Sequence, residues 1–573
     1  MRVRSARWMG TLALLTALTP TAQVGGQDLE QLRARLSNAI APSTWRGATW
    51  GVMVRSLDTG DTLFALEADE PLAPASNLKL LTTAAALRVL GPEYRFRTYL
   101  LTNGNVVDGV LEGDLVLYGT GDPGISDRFY RKKEDVFRVL VDQLTQLGIH
   151  TVRGDLVGDA SFFAGPLRPE GWDPADLNDA FAGAVSALSF NENVVSFRVV
   201  AGRAGETPSF YTIPENTGLD VLNAARTVAA DARPRIAILR DAPLDPIRIE
   251  GNLLTGARDV WREITVPIPA RFAASAFRAT LEEGGIALLG GLRVVDDADA
   301  SLLGQPGVTA PALGRRSARI LARHVSDPLS VYLAVVNKES NNLFAELVFR
   351  ALGRAASGVG SSEAGSAAVR TALGELGVDM TDVVQLDGSG LSSGSRVSAS
   401  TFVEVMETMA DGPVWAEYWA SLPEAGSRRE LGRMFGTPAA GNLRAKTGTI
   451  EGVSALSGLV RSRNGERLAF SLMVNGTRSN GRAKAVENQV GALLAGFGRP
   501  LIEDPALRFA RGLAQVDADE PTRYLVGRGE SLAAIADQHG LDVEDLVRAN
   551  PDMQATRVVP GQWIEIPRRS VTQ

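Results

Sequence analysis

Three short polar clusters carry residue types that could do chemistry. Ser76-Asn77-Leu78-Lys79 sets a hydroxyl and an amine three positions apart at the start of a predicted helix, so both lie on one face within reach of each other. A neutral lysine amine can take the serine proton as the hydroxyl attacks a carbonyl, provided burial or a second cation lowers its pKa. Alone the spacing is weak, because a helix-capping serine followed by a solvated lysine looks the same. Ser340-Asn341-Asn342 offers a second hydroxyl and a carboxamide just before another predicted helix, and Lys446-Thr447-Gly448 precedes a hairpin as an edge strand would. Singly these read as a polar loop and an exposed strand. In this order the three together furnish a nucleophile, two amines, a second hydroxyl and a carboxamide, a set suited to acyl transfer through serine.

Rival chemistries find little support. Only His150, His324 and His539 exist, none in a nucleophile-elbow pattern, so a Ser-His-Asp triad is not indicated and each reads as structural or surface. There is no His-Glu-x-x-His segment, and Gly353, Gly358, Gly360 and Gly365 lack the Lys-Ser/Thr ending of a phosphate-binding loop. The absence of cysteine excludes a disulfide framework, a thiol nucleophile, a cysteine-ligated metal and a lipidated cysteine anchor. A net charge of −7 argues against nucleic acid as a partner. Nothing in the sequence requires a metal or an organic cofactor.

The elements that must position these residues follow from periodicity and turn residues. At 573 residues the chain exceeds one core, and two to four domains are expected. Arg2, Arg4 and Arg7, the apolar Trp8 to Leu18 and the small residues around Ala22 to Gly26 read as a secretory signal over 1–26. That apolar run is short for a bilayer span, and no other segment approaches about 20 uninterrupted apolar residues. A helix is expected over 28–41 and a β-hairpin from Trp50–Leu57 and Thr62–Leu66 across Asp58-Thr59-Gly60-Asp61. An alanine-rich buried helix follows, from Ser76 to Leu90. From Tyr94 to Val266 short β-prone pieces dominate, and helical spacing returns at Ala273–Glu283 and Asn341–Leu352. Strands at Ala455–Val460 and Leu468–Val474 flank Arg463-Asn464-Gly465, a strong hairpin signal, and a helix over 483–497 closes this part. The acidic Ala514–Glu520 stretch sets off a small tail.

Longer blocks accompany the three motifs: Gly119-Thr120-Gly121-Asp122-Pro123, Ser186-Ala187-Leu188-Ser189-Phe190-Asn191-Glu192-Asn193, Asn337-Lys338-Glu339-Ser340-Asn341-Asn342, Asp387-Gly388-Ser389-Gly390-Leu391-Ser392 and Lys446-Thr447-Gly448-Thr449. On these, from about residue 28 to 500, the chain resembles the penicillin-recognising serine enzymes. It is most similar to the class C low-molecular-mass penicillin-binding proteins, the D-alanyl-D-alanine carboxypeptidase/endopeptidase family. The long gap between Ser76 and Ser340 typifies that family and argues against a β-lactamase.

The resemblance implies an α/β transpeptidase-like serine domain in two parts, 28–95 and 266–505, around a large β-rich insertion, 96–265. It implies Ser76 as nucleophile, Lys79 as base, the N–H groups of Ser76 and Thr449 as oxyanion donors, and Ser340 with Lys446 as proton relay. Asn342 would hold the substrate amide, and Lys446 with Thr447 in the Lys446-Thr447-Gly448-Thr449 strand would bind the terminal carboxylate. β-Lactams would be inhibitors and peptidoglycan stem peptides the substrates. Two positions bear on specificity: Ser393 stands where members often carry arginine, with Arg396 nearby, and Asp159 is similar to an aspartate that meets the free amine of diaminopimelate, although a turn aspartate is the plainer reading.

After a linker at 506–521, residues 522–568 resemble a LysM domain. The resemblance rests on Gly529-Glu530-Ser531-Leu532 and Ala549-Asn550 and implies a βααβ fold that binds N-acetylglucosamine-containing glycan. Localisation in the bacterial periplasm or cell envelope follows from the leader. The alternatives are a wall-binding scaffold with an idle serine site and a β-lactamase-like hydrolase.

Overall fold

The computed structural model describes residues 21–41, 45, 47–215, 217–229, 235–303, 318–500, 522–526, 530–539, 541–551, 558 and 563–567. Residues 1–20, which hold most of the expected leader, and the expected linker 506–521 lie outside them. Among the described residues no helix is long and apolar enough to cross a membrane.

The first part of the chain and the last part before the tail meet in one antiparallel sheet of five strands. Its order is Arg444–Ile450, Val453–Arg461, Arg467–Asn475, Thr49–Ser56, Thr62–Leu66. Side chains alternate along each strand. Trp50, Val52, Val54, Phe470, Leu472 and Val474 therefore face one core, closed by the helices Thr21–Ala39 and Asn480–Gly496, while Met53, Ala469 and Met473 face the other. The predicted Asn464-Gly465 turn joins two of these strands, with Gly465 at φ +86°, a conformation that favours glycine.

The second core is helical. At its centre lies Lys79–Val89, buried at every position from Lys79 to Leu87. The helices Leu329–Lys338, Asn342–Ser357, Ser362–Gly374, Ala399–Ala410 and Trp415–Ser421 surround it. Its polar Lys79, Thr82 and Thr83 are buried along with its apolar residues, and the small side chains of Ala84, Ala85 and Ala86 let its neighbours approach.

The interrupting unit is built on a mixed sheet ordered Leu292–Val295, Leu156–Asp159, Leu115–Gly119, Arg97–Thr102, Arg319–Val325, with smaller sheets beside it. Two amphipathic helices, Asp135–Gln146 and Pro269–Glu283, pack with this sheet. The break expected near residue 266 rested on helical spacing returning at Ala273. That helix instead covers the Leu156–Asp159 strand, and strand pairing carries the interrupting unit on to Val325.

In the tail, Thr522–Leu525 pairs antiparallel with Trp563–Ile566 around the helices Leu532–His539 and Val543–Ala549, a βααβ unit. Val526, Ile535, Leu546 and Ile564 form its small core. Asn550 ties the second helix to the last strand: its amide donates to Leu546 O at 2.8 Å and Glu565 O at 2.7 Å, and its Oδ1 accepts from Glu565 N at 2.6 Å.

Candidate active site

Ser76 sits in a 3₁₀ turn, Ala75–Leu78, that runs straight into the Lys79–Val89 helix. With three residues per turn, positions i and i+3 align. Lys79 Nζ accordingly donates to Ser76 Oγ at 3.0 Å. It also donates to Asn342 Oδ1 at 2.6 Å and to the Ser389 carbonyl at 2.7 Å, so a fully buried amine has three acceptors. Burial pulls the Lys79 pKa down to about 7, against the opposing fields of Asp387 and Glu346.

A second pair stands opposite. Lys446, on the Arg444–Ile450 edge strand, donates from Nζ to Ser340 Oγ at 2.9 Å and to Thr447 O at 3.0 Å. Burial, and then the charge of Lys79, hold its pKa well below the usual lysine value. Ser340 lies between two helices at φ +59°, a sparsely populated conformation that persists where surrounding structure enforces it. Its neighbour Asn341 caps the Asn342–Ser357 helix, accepting from Phe344 N at 3.0 Å. Asn342 Nδ2 donates to Phe181 O at 2.9 Å, which leaves its Oδ1 for Lys79.

The edge strand reaches the serine because residue 448 is glycine. A Cβ there would lie 2.5 Å from Pro74 O and 3.2 Å from Asn77 N, so the Thr447–Thr449 backbone rests directly against the serine turn. Gly390, at φ +77°, makes a similar approach from the other side, where a Cβ would come within 1.9 Å of Ala75 O. Ser76, Lys79 and Asn342 thus share one hydrogen-bonded group and Ser340 with Lys446 another, with Thr447, Gly448 and Thr449 alongside.

Three further participants were not read from sequence. Ser389 contributes a backbone carbonyl, Glu346 accepts from the Gly388 and Ser389 N–H groups, and Asp387 organises the loop from beneath. The Asp387–Ser392 block was visible as a block without roles. Glu346, four residues after Asn342 and so on the same helix face, was the available signal.

Asp159 falls elsewhere. It ends the Leu156–Asp159 strand, accepts from Ser161 N at 2.9 Å and from Ser301 Oγ at 2.6 Å, and burial raises its pKa. It is 1% exposed, and both of these partners lie within the interrupting unit's own chain. Arg396 turns its guanidinium to the Ser393 and Ser395 carbonyls, 2.8 Å each. The histidines stand apart from the serine: His324 is 3.1 Å from Tyr130 Oη, and His150 meets Thr151 Oγ1 and Asp108 O.

Known proteins share this arrangement of sequence and fold. A D-alanyl-D-alanine carboxypeptidase of Actinomadura sp. strain R39 is 35% identical over 500 residues, covering 85% of this chain and 88% of that one. The D-alanyl-D-alanine carboxypeptidase DacB of Haemophilus influenzae is 26% identical over 441 residues, covering 75% and 86%. The crystal structure of penicillin binding protein 4 from Haemophilus influenzae superposes with a TM-score of 0.67 at 24% identity, over 81% of this chain and 97% of that one. Residues 524–567 match the LysM domain. With residues 32–496 matching its family description from the first sheet-covering helix to the last, the chain belongs to the D-Ala-D-Ala carboxypeptidase 3 (S13) family and bears a LysM domain behind it.

Proposed function

We propose that the protein is a serine-type D-alanyl-D-alanine carboxypeptidase and endopeptidase that works on peptidoglycan stem peptides and crosslinks through an acyl-enzyme. The observation that carries this reading is the 3.0 Å bond between Ser76 Oγ and the buried Lys79 amine, whose pKa of about 7 lets it act as a base near neutrality. Ser76 Oγ attacks the carbonyl of the penultimate D-alanine while Lys79 takes its proton. The N–H groups of Ser76 and Thr449 receive the oxyanion. Collapse breaks the peptide bond, and Ser340 with Lys446 delivers a proton to the departing amine. Asn342 holds the substrate amide, and Lys446 with Thr447 holds the terminal carboxylate. When the departing amine belongs to a free D-alanine the reaction trims, and when it belongs to a neighbouring stem it cuts a crosslink. Water then attacks the Ser76 ester and frees the enzyme, while a β-lactam acylates the same serine and leaves slowly.

The LysM unit would hold N-acetylglucosamine-containing glycan and keep the serine near its peptides. The leader would place the protein outside the cytoplasm, in the periplasm or cell envelope. Ser393, with Arg396 bound to backbone nearby, would give a stem-peptide preference different from members with arginine there.

Intact-mass measurement after incubation with a labelled penicillin tests the proposal. The wild-type chain should gain one penicillin per molecule and Ser76→Ala none. A well-folded wild-type chain that gains nothing overturns the reading in favour of a wall-binding scaffold with an idle serine.

A further inference from the structure

Beneath Lys79 lies a buried carboxylate that the reaction as derived does not use. Glu346 is wholly buried, one turn beyond Asn342 on the same helix. Its Oε1 accepts from Gly388 N at 3.0 Å and Ser389 N at 2.8 Å, and its Oε2 from Gly388 N at 3.1 Å. These bonds fix the Gly388-Ser389 backbone so that the Ser389 carbonyl accepts from Lys79 Nζ at 2.7 Å. The loop can lie this close because residue 388 is glycine: a Cβ would come 2.6 Å from Phe349 Cβ and 2.7 Å from Ala345 O. Asp387 completes the loop, accepting from Gly390 N at 2.9 Å, Ser392 N at 2.8 Å and, from the interrupting unit, Trp172 Nε1 at 2.9 Å.

We propose that Glu346 is a positioning residue for acylation, which aims Lys79 through the Gly388-Ser389 backbone and biases its charge state through its own negative charge, without meeting substrate. The inference rests on Lys79 being the base. One bond from Asn342 and one from Ser389 leave the amine a single direction for its third contact, and that direction is Ser76 Oγ.

The charged groups around the pair give the sign of the electrostatic effect. Lys79 faces Glu346, Asp387 and Lys446, while Glu346 faces Asp387, Lys79 and Arg350, the last of which also feels Glu363. Burial, reinforced by Asp387, pushes Glu346 up to about 7. Its negative form raises Lys79, opposing burial, so removing that charge lets the lysine lose its proton at lower pH.

The test is the pH profile of Ser76 acylation by labelled penicillin in the full chain, for wild type, Glu346→Gln and Glu346→Asp. In E346Q the acidic limb should move down by roughly half a unit to one unit. This is less than the about 1–3 units a fully ionised neighbour gives, because Glu346 is itself partly protonated there. E346D keeps the charge but withdraws it from the loop, so its limb should stay and its rate fall at every pH. A purely structural Glu346 would lower the thermal midpoint and the rates with no movement of the limb. An unmoved limb in folded E346Q overturns the proposal, and so does full-rate acylation by E346D, which can be read even if E346Q does not fold. Failure of the broader reading looks different, since the wild-type chain would then not be acylated at all.

Discussion

Lys79 shows how much chemistry a burial decision carries. In water its amine would be protonated at neutral pH and useless as a base. With the amine enclosed among Ser76, Asn342 and Ser389, its pKa is pulled down by burial to about 7, so the neutral form that the proposed base requires accumulates as pH rises through that value. Acylation of the wild-type chain by penicillin should therefore climb with pH to a plateau above about pH 8 and fall about tenfold per unit below about pH 6. Lys79→Arg, which keeps a cation and removes the base, should reduce the plateau rate by about 10²–10⁴-fold. Stopped-flow acylation checks both. The pairing of Ser76 with Lys79 was legible because spacing on a helix is geometry. The Ser389 carbonyl was not, since a backbone acceptor 310 positions away has no residue type to betray it.

Among elements, the approach of the edge strand to the serine turn is the most demanding contact. A methyl group at residue 448 has no room beside Pro74 O, so Gly448→Ala must push strand and turn apart, and under the proposed mechanism this draws the Thr449 N–H away from the reacting carbonyl. Acylation should drop by more than about tenfold while circular dichroism stays unchanged, in keeping with the about 10²–10³-fold loss when one oxyanion donor is removed. The hairpin at Asn464-Gly465 and the alanine-rich helix were readable from turn chemistry and composition. The 3₁₀ turn that aligns Ser76 was not, because the glycines that close around it, Gly390 and Gly448, lie hundreds of positions away in sequence. The Pro269–Glu283 helix taught the same lesson: spacing revealed the element and its buried face but not which sheet that face would meet.

At the scale of the whole molecule, the residues gathered around Ser76 come from segments hundreds of positions apart, and the LysM unit forms its own small core. Deleting residues after 514 should weaken sedimentation with isolated cell wall while hydrolysis of a soluble D-Ala-D-Ala peptide persists, and equal wall binding by the shortened chain would remove the tethering idea. The family and the LysM tail were legible from motifs. The true reach of the interrupting unit was not, because strand partners such as Arg97–Thr102 and Arg319–Val325 are set by long-range pairing.

The five-stranded sheet also has a history in time. Asp58, in the turn that follows the Thr49–Ser56 strand, accepts from the backbone N–H of Arg467, 409 positions later. A ribosome adding about 5–20 residues per second needs roughly 20–80 s to make that partner. Until then the Thr49–Ser56 strand, destined to be covered on both faces, has its hairpin mate but lacks its other strand neighbour, Arg467–Asn475, whereas the interrupting unit can already close on itself. Ser76 is thus synthesised early and joined late by the strand that bears Lys446. During most of its synthesis the chain is a hydrolase without a working site, and an apolar strand that a holding chaperone would have reason to cover.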